Sequence, residues 1–250
     1  MSPDTRHPSP DFGSRASGDG RRTILIPSRF NGPPDSGNGG YTCGLIAGVV
    51  GPMAEVTLRR PPPLDRPLTV TEANGAWSVH DGDLLIAEAS MVDWDLEVPP
   101  APSMDKAADA STRYGGFDRH EFPTCFTCGV DRDDGLGIWP GRVAATESVA
   151  APWSAPDGVP MIGGDLAPEI VWASLDCPGA WSWARAKGPD PIVLGRMAAR
   201  IVAPLPADGA FISYAWSLGE HGRKSYAGTA VADESGRVLA YARQTWIALR

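Results

Sequence analysis

Residues 39–51 read GGYTCGLIAGVVG, an apolar segment that opens on two glycines and is followed by several short strand-like stretches. From Gly40 to Val50 it is apolar nearly all round, yet it contains Gly44 and Gly48, each of which costs about 1 kcal/mol in an exposed helix. An apolar helix built of small residues is a buried one, and a sheet wrapped closely around it would account for the glycines. Asn38 stands where an N-cap belongs, and Gly39 and Gly40 leave the first N–H groups uncovered by side chains.

Working outward, an apolar strand candidate TILIPSRF (23–30) precedes this helix, across the turn-forming NGPPDSGNGG (31–40). After it come AEVTLRR (54–60), a proline corner, LTVTEANG, AWSVHDGD and LLIAEASMV, with hairpin signals at Asn74-Gly75 and Asp81-Gly82. The plan then recurs over residues 163–249. There the apolar segment is PEIVWASLDCPGAWSWA, preceded by Gly163 and Gly164. Arg59, Pro63 and Leu64 fall against Arg200, Pro204 and Leu205 at one constant offset. Leu85–Ala89 falls against Val238–Ala242 at a larger one, as a longer hairpin in the second copy requires. The second helix is expected near 167–186, kinked or broken at Pro178, with strands at about 191–203, 210–218, 223–233 and 237–249.

These signals divide the chain into a disordered tail (1–21), a first repeat (22–95), a proline-rich linker (96–124) and a second repeat (125–250). The first 21 residues carry no apolar h-region, so no secretory signal is expected. Charged residues make up 21% and apolar residues 42% of the 250, an ordinary globular balance. A net charge of −8 argues against non-specific binding to nucleic acid or anionic membrane. No apolar run approaches the roughly 20 residues of a membrane span. Four cysteines fit a reducing cytoplasm better than a disulfide scaffold.

A central helix wrapped by a long antiparallel sheet, duplicated in one chain, resembles the double-hotdog acyl-CoA thioesterases of the thioesterase II type. The stretch Val171-Trp172-Ala173-Ser174-Leu175-Asp176 is similar to that family's helix, whose catalytic aspartate follows a small-residue pair. The last strand, Gly236–Ala240 through Gln244, is similar to the strand that brings a catalytic glutamine. Cys125-Phe126-Thr127-Cys128-Gly129, followed by Gly135-Leu136, resembles the CFxCG segment of some single-hotdog thioesterases. The resemblance covers most of the chain from about residue 22. It implies an α+β fold with two central helices, each wrapped by an antiparallel sheet, the two sheets joined edge to edge. It also implies hydrolysis of an acyl-CoA or related acyl thioester without a cofactor. The chain departs from the family where a hydroxyl residue belongs early on the strand after the helix: Leu194 stands there, beside Gly195.

Thioester hydrolysis needs an activated water or nucleophile and donors for the oxyanion. A buried helix carboxylate is a strong base because desolvation raises its pKa, and an amide can hold the water. The roles that follow are Asp176 as base or nucleophile and Gln244 as the group holding water. Gly39, Gly40, Gly163 and Gly164 would supply helix N-terminal amides to the carbonyl. Against these stand a buried Asp176 satisfied by backbone near Pro178 and a Gln244 on the outer face of its strand. Trp172, Trp181, Trp216 and Trp246 are core packing or, in part, the lining of an acyl tunnel. Arg59, Arg60, Arg196 and Arg200 could meet the phosphates of a carrier or form exposed strand faces.

Cys125 and Cys128 supply half a zinc site, with His120 five residues upstream. A matching second pair is missing, and Cys43 and Cys177 read as small buried apolar residues. The pair is therefore taken as a turn, with no metal expected. No G-x-S-x-G, Walker A or Rossmann fingerprint occurs. Two rival functions remain. One is a non-catalytic acyl-binding protein, which the missing hydroxyl favours. The other is a hydratase or dehydratase, which needs an Asp/His pair beside a glycine-led helix, and His80 and His221 lie far from either helix in sequence. A further homodimer is compatible with a chain that already contains the usual hotdog pair.

Overall fold

The computed structural model describes residues 15–16, 21–183 and 191–249. The tail expected over residues 1–21 otherwise lies outside the described residues, as does the end of the second helix segment beyond 183. The first half holds β1 (Arg15–Ala16), β2 (Arg22–Leu25), α1 (Gly39–Val50), β3 (Ala54–Leu58), β4 (Pro67–Ala73), β5 (Ala76–Asp81) and β6 (Leu84–Met91). Then come α2 (Met104–Ser111), β7 (Gly141–Arg142), β8 (Val149–Ser154), β9 (Met161–Ile162) and β10 (Asp165–Leu166). The chain ends with α3 (Pro168–Trp181), β11 (Ile192–Ile201), β12 (Ala210–His221), β13 (Lys224–Asp233) and β14 (Val238–Ala248).

All strands but β9 and β10 join one antiparallel sheet of order β1-β2-β4-β5-β6-β3-β11-β14-β13-β12-β8-β7. The halves meet where β3 pairs with β11, Val56 opposite Met197. Across that seam the Glu55 carboxylate takes Arg196 at 3.3 Å and Arg243 at 2.8 Å.

The two helices lie against each other inside one large core. Their registry is reversed: a Cβ on Gly40 would meet the Trp172 carbonyl and come within 2.7 Å of Asp176 Cβ, whereas one on Gly44 would come within 2.6 Å of Glu169 Cα. Gly40 and Gly44 thus serve close helix–helix approach, not a tight wrap by sheet, and Gly48 is exposed with no atom of the described residues within 4 Å of a Cβ placed there. Pro178 does not end α3, which runs on to Trp181. The carbonyl that its missing N–H leaves free, on Ser174, accepts from Ser213 Oγ at 3.2 Å. Among the described residues no helix is long and apolar enough to cross a membrane.

Three expectations change. The strand expected over 23–30 stops at Leu25, because Pro27 has no N–H for the ladder and Phe30 turns inward to stack on Tyr41 with ring centroids 4.0 Å apart. The segment expected as a linker carries α2, whose Ala107 and Ala110 cover the sheet face turned away from α3. Gly163 and Gly164, both at positive φ, form the turn of the β9–β10 hairpin and lie apart from the α3 N-terminus, which starts at Pro168. A Gly-Gly before a helix serves a hairpin as readily as a helix entry.

Candidate active site

A cavity of about 880 Å³ lies between the α1 N-terminus, the middle of α3 and the start of β11. Its walls include Leu58, Ile192, Leu194 and Ile247, and the exposed Arg59 and Arg60 mark its mouth. Asp176, Gly39, Trp181 and Trp246 line it together. Gly40 is buried directly behind Gly39.

Asp176 is 3% exposed, and among the described residues its Oδ1 has no hydrogen-bond partner. Burial pushes the carboxyl up to about 7, and the Gly40 N–H and the Asn38 amide beside it pull the other way. Asn38 is fully buried. Its Oδ1 accepts from Tyr41 N–H at 2.9 Å, which caps α1, and its Nδ2 reaches Thr127 Oγ1 at 3.2 Å and Cys125 Sγ at 3.7 Å. The expected N-cap is therefore also a wall of the site. Nothing in the sequence pattern signals that second role, which depends on α1 meeting α3 and the 125–129 turn at one point.

Gln244 faces inward, on the same side of β14 as Ala240, Ala242 and Trp246, and not outward. Its amide is already used. Nε2 donates to the Leu175 carbonyl at 2.7 Å and the Asp176 carbonyl at 3.2 Å, while Oε1 accepts the Trp246 indole N–H at 2.9 Å. These bonds tie β14 to the middle of α3. Trp172 is buried beside Gly44 in the helix–helix contact, and Trp216 lies beside Tyr214, the two rings tilted, on the opposite face of the sheet. Neither lines the cavity: on β12 the inward side chains are Phe211 and Ser213, so strand alternation sends Trp216 out.

Leu194 packs against Gly39 at the cavity wall, and Pro191–Gly195 brings no hydroxyl to it. The four arginines have partners within the chain. Arg59 pairs with Glu88, Arg60 donates to the Leu85 carbonyl at 2.8 Å, Arg196 bonds Thr57 Oγ1 and Arg200 meets Asp93.

His120 and three cysteines were not expected in this wall. His120 lines the same cavity as Asp176, although neither His80 nor His221 does. Its ring is engaged: Phe122 N–H donates to Nδ1 at 3.0 Å, and Nε2 faces the Cys128 carbonyl at 3.1 Å. Burial lowers its pKa. Cys125, Cys128 and Cys177 form one buried group, so Cys177 is not merely a small apolar residue of α3. Hydrogen bonds from Cys128 and Cys177 hold the Cys125 thiol well below its usual range.

No protein-family model and no curated protein matches the sequence. Solved structures do match over nearly the whole chain. A protein assigned as a thioesterase II from Thermobifida fusca is 12% identical, with 96% of each chain covered and a TM-score of 0.63. A hot dog fold protein from Alicyclobacillus acidocaldarius is also 12% identical, covering 94% of this chain and 95% of the other, with a TM-score of 0.62. The pyran synthase domain from module nine of the sorangicin pathway is 16% identical, covering 98% and 100%, with a TM-score of 0.61. The likeness defines the fold: α+β, of the hotdog type, shared with thioesterase II structures. It also spans more than one chemistry.

Proposed function

We propose that this protein is a thioester hydrolase of the double-hotdog kind, with repeats over 22–95 and 125–250 and Asp176 as the base that activates water. The observation that carries the reading is the unpartnered, buried Oδ1 of Asp176, beside the N-terminus of α1 and in the wall of a largely apolar cavity. Water held there attacks the thioester carbonyl carbon as the carboxylate takes its proton. The oxyanion is met by the Gly39 N–H at the start of α1, which has no helical carbonyl before it, while the Gly40 N–H stays on the Asp176 carboxylate. The thiolate then leaves and is protonated. With Leu194 on the opposing wall the base acts on water without a hydroxyl relay. An acyl-CoA is the substrate class this favours: the apolar wall suits an acyl chain, and Arg59 and Arg60 stand at the mouth for phosphates. Four free cysteines support a cytoplasmic setting.

The test is thiol release from a panel of acyl-CoA chain lengths, followed by Asp176→Asn. Loss of a positioned general base is expected to lower turnover by about 10²–10⁴-fold, with the melting curve preserved. Unchanged turnover removes Asp176 from the reaction. The full engagement of Gln244 favours a second reading, an acyl-binding protein without turnover. Saturable acyl-CoA binding with no thiol release across the panel selects it.

A further inference from the structure

We propose that Cys125, Cys128 and Cys177 bind a single zinc ion through their three sulfurs, at a site in the wall of the cavity. The sulfur atoms all lie within 4.8 Å of one another, and those of Cys125 and Cys177 are 3.5 Å apart. Tetrahedral zinc with bonds of about 2.3 Å to sulfur sets its thiolates about 3.8 Å apart, inside that range. The cluster needs little movement to close on an ion.

The backbone is shaped for the task. Gly129 N–H folds back to the Cys125 carbonyl at 2.8 Å, and a Cβ on Gly129 would come within 2.6 Å of that same oxygen. The turn therefore needs glycine and sets both thiols of the pair toward α3. Donors surround the sulfurs. Asn38 Nδ2 lies 3.7 Å from Cys125 Sγ, and His120 Nε2 lies 3.4 Å from Cys128 Sγ. Because Phe122 N–H occupies Nδ1 of His120, its Nε2 carries the proton and faces sulfur as a donor, outside the ligand set. A buried, sulfur-only set selects a soft or borderline ion over calcium or magnesium. Each thiol releases its proton to solvent as its sulfur binds. The fourth position is taken by water from the cavity, which all three cysteines line.

The full chain, reduced with a non-thiol reductant and stripped with a chelator, is titrated with Zn²⁺ and with Co²⁺. The expected result is one ion per chain, with cobalt giving thiolate charge-transfer absorption in the near ultraviolet and intense tetrahedral bands in the visible. Cys177→Ser should abolish stoichiometric binding, Cys43→Ser should leave it unchanged, and His120→Ala should weaken it by about 10–100-fold with the sulfur bands retained. Failure to take up an ion, cobalt bound without thiolate bands, or unaltered binding by Cys177→Ser overturns the assignment. Should Cys177→Ser not fold, the native cobalt spectrum decides, since charge-transfer intensity tracks the number of sulfur ligands and a CxxC pair gives two. None of these readouts depends on thioester hydrolysis.

Discussion

The two buried helices meet at one point and bring opposite things to it. α1 has no ionisable carboxylate; its N-terminus offers backbone N–H groups, and Asn38 caps it through Tyr41 N–H. α3 brings the carboxylate of Asp176, the thiol of Cys177 and a proline inside the helix. Each helix alone would be a poor site. The α1 N-terminus has no base, and a lone carboxylate at 3% exposure has nothing to polarise. Because the two helices pack side by side, the proposed site divides donors and base between the two halves of the chain. The Asp176→Asn exchange breaks this division most severely, with an expected loss of turnover of about 10²–10⁴-fold, since it silences the α3 contribution while leaving α1 intact.

The next largest effect comes from pushing the helices apart. Gly40→Ala puts a methyl group against the Trp172 carbonyl and Asp176 Cβ, in contact with main chain that cannot give way cheaply. Overpacking of this kind is expected to cost about 1–3 kcal/mol, read from the midpoint of urea unfolding. Turnover should fall as well, because the proposed base and the α1 N-terminus are held by the same contact. A fully stable Gly40→Ala protein would mean that the helices do not meet this closely.

Gln244→Ala acts on the α3 side of the contact. It removes the donor shared by the Leu175 and Asp176 carbonyls and leaves the buried Trp246 indole N–H without its partner. A loss of about 1–3 kcal/mol is expected from the unsatisfied group. Because its Nε2 bonds two α3 carbonyls, Gln244→Ala is expected to lower stability and kcat together. A variant with wild-type stability and no turnover would return Gln244 to the chemistry.

What the sequence disclosed follows from how local each signal is. The strands of both halves were legible because alternation and the Asn74-Gly75 and Asp81-Gly82 turns are local, and the Pro27 stop was missed because Phe30 resumes the apolar pattern of Ile24–Ile26 beyond it. Asn38 as a cap was legible for the same reason. The inward direction of Gln244 and the outward direction of Trp216 depend on strand parity, which one residue of slip inverts. The Cys177 contact with Cys125 spans 52 positions and exists only because the 125–129 turn is folded onto α3. No spacing rule along the chain encodes it.

The smallest expected effect separates the two kinds of glycine in α1. Gly48 shares its helix with Gly40 but is exposed, with no atom of the described residues within 4 Å of the position a Cβ would take. It contributes neither to the helix contact nor to the site, so it retains only the conformational freedom that glycine restores to the unfolded chain. Gly48→Ala is expected to stabilise by up to about 1 kcal/mol and to leave turnover and metal binding as in the parent chain. The pair of alanine variants, opposite in sign on one helix, isolates close approach from helix propensity. If Gly48→Ala destabilised as Gly40→Ala does, the cost would belong to α1 as a whole, and the meeting point with α3 would lose its special standing.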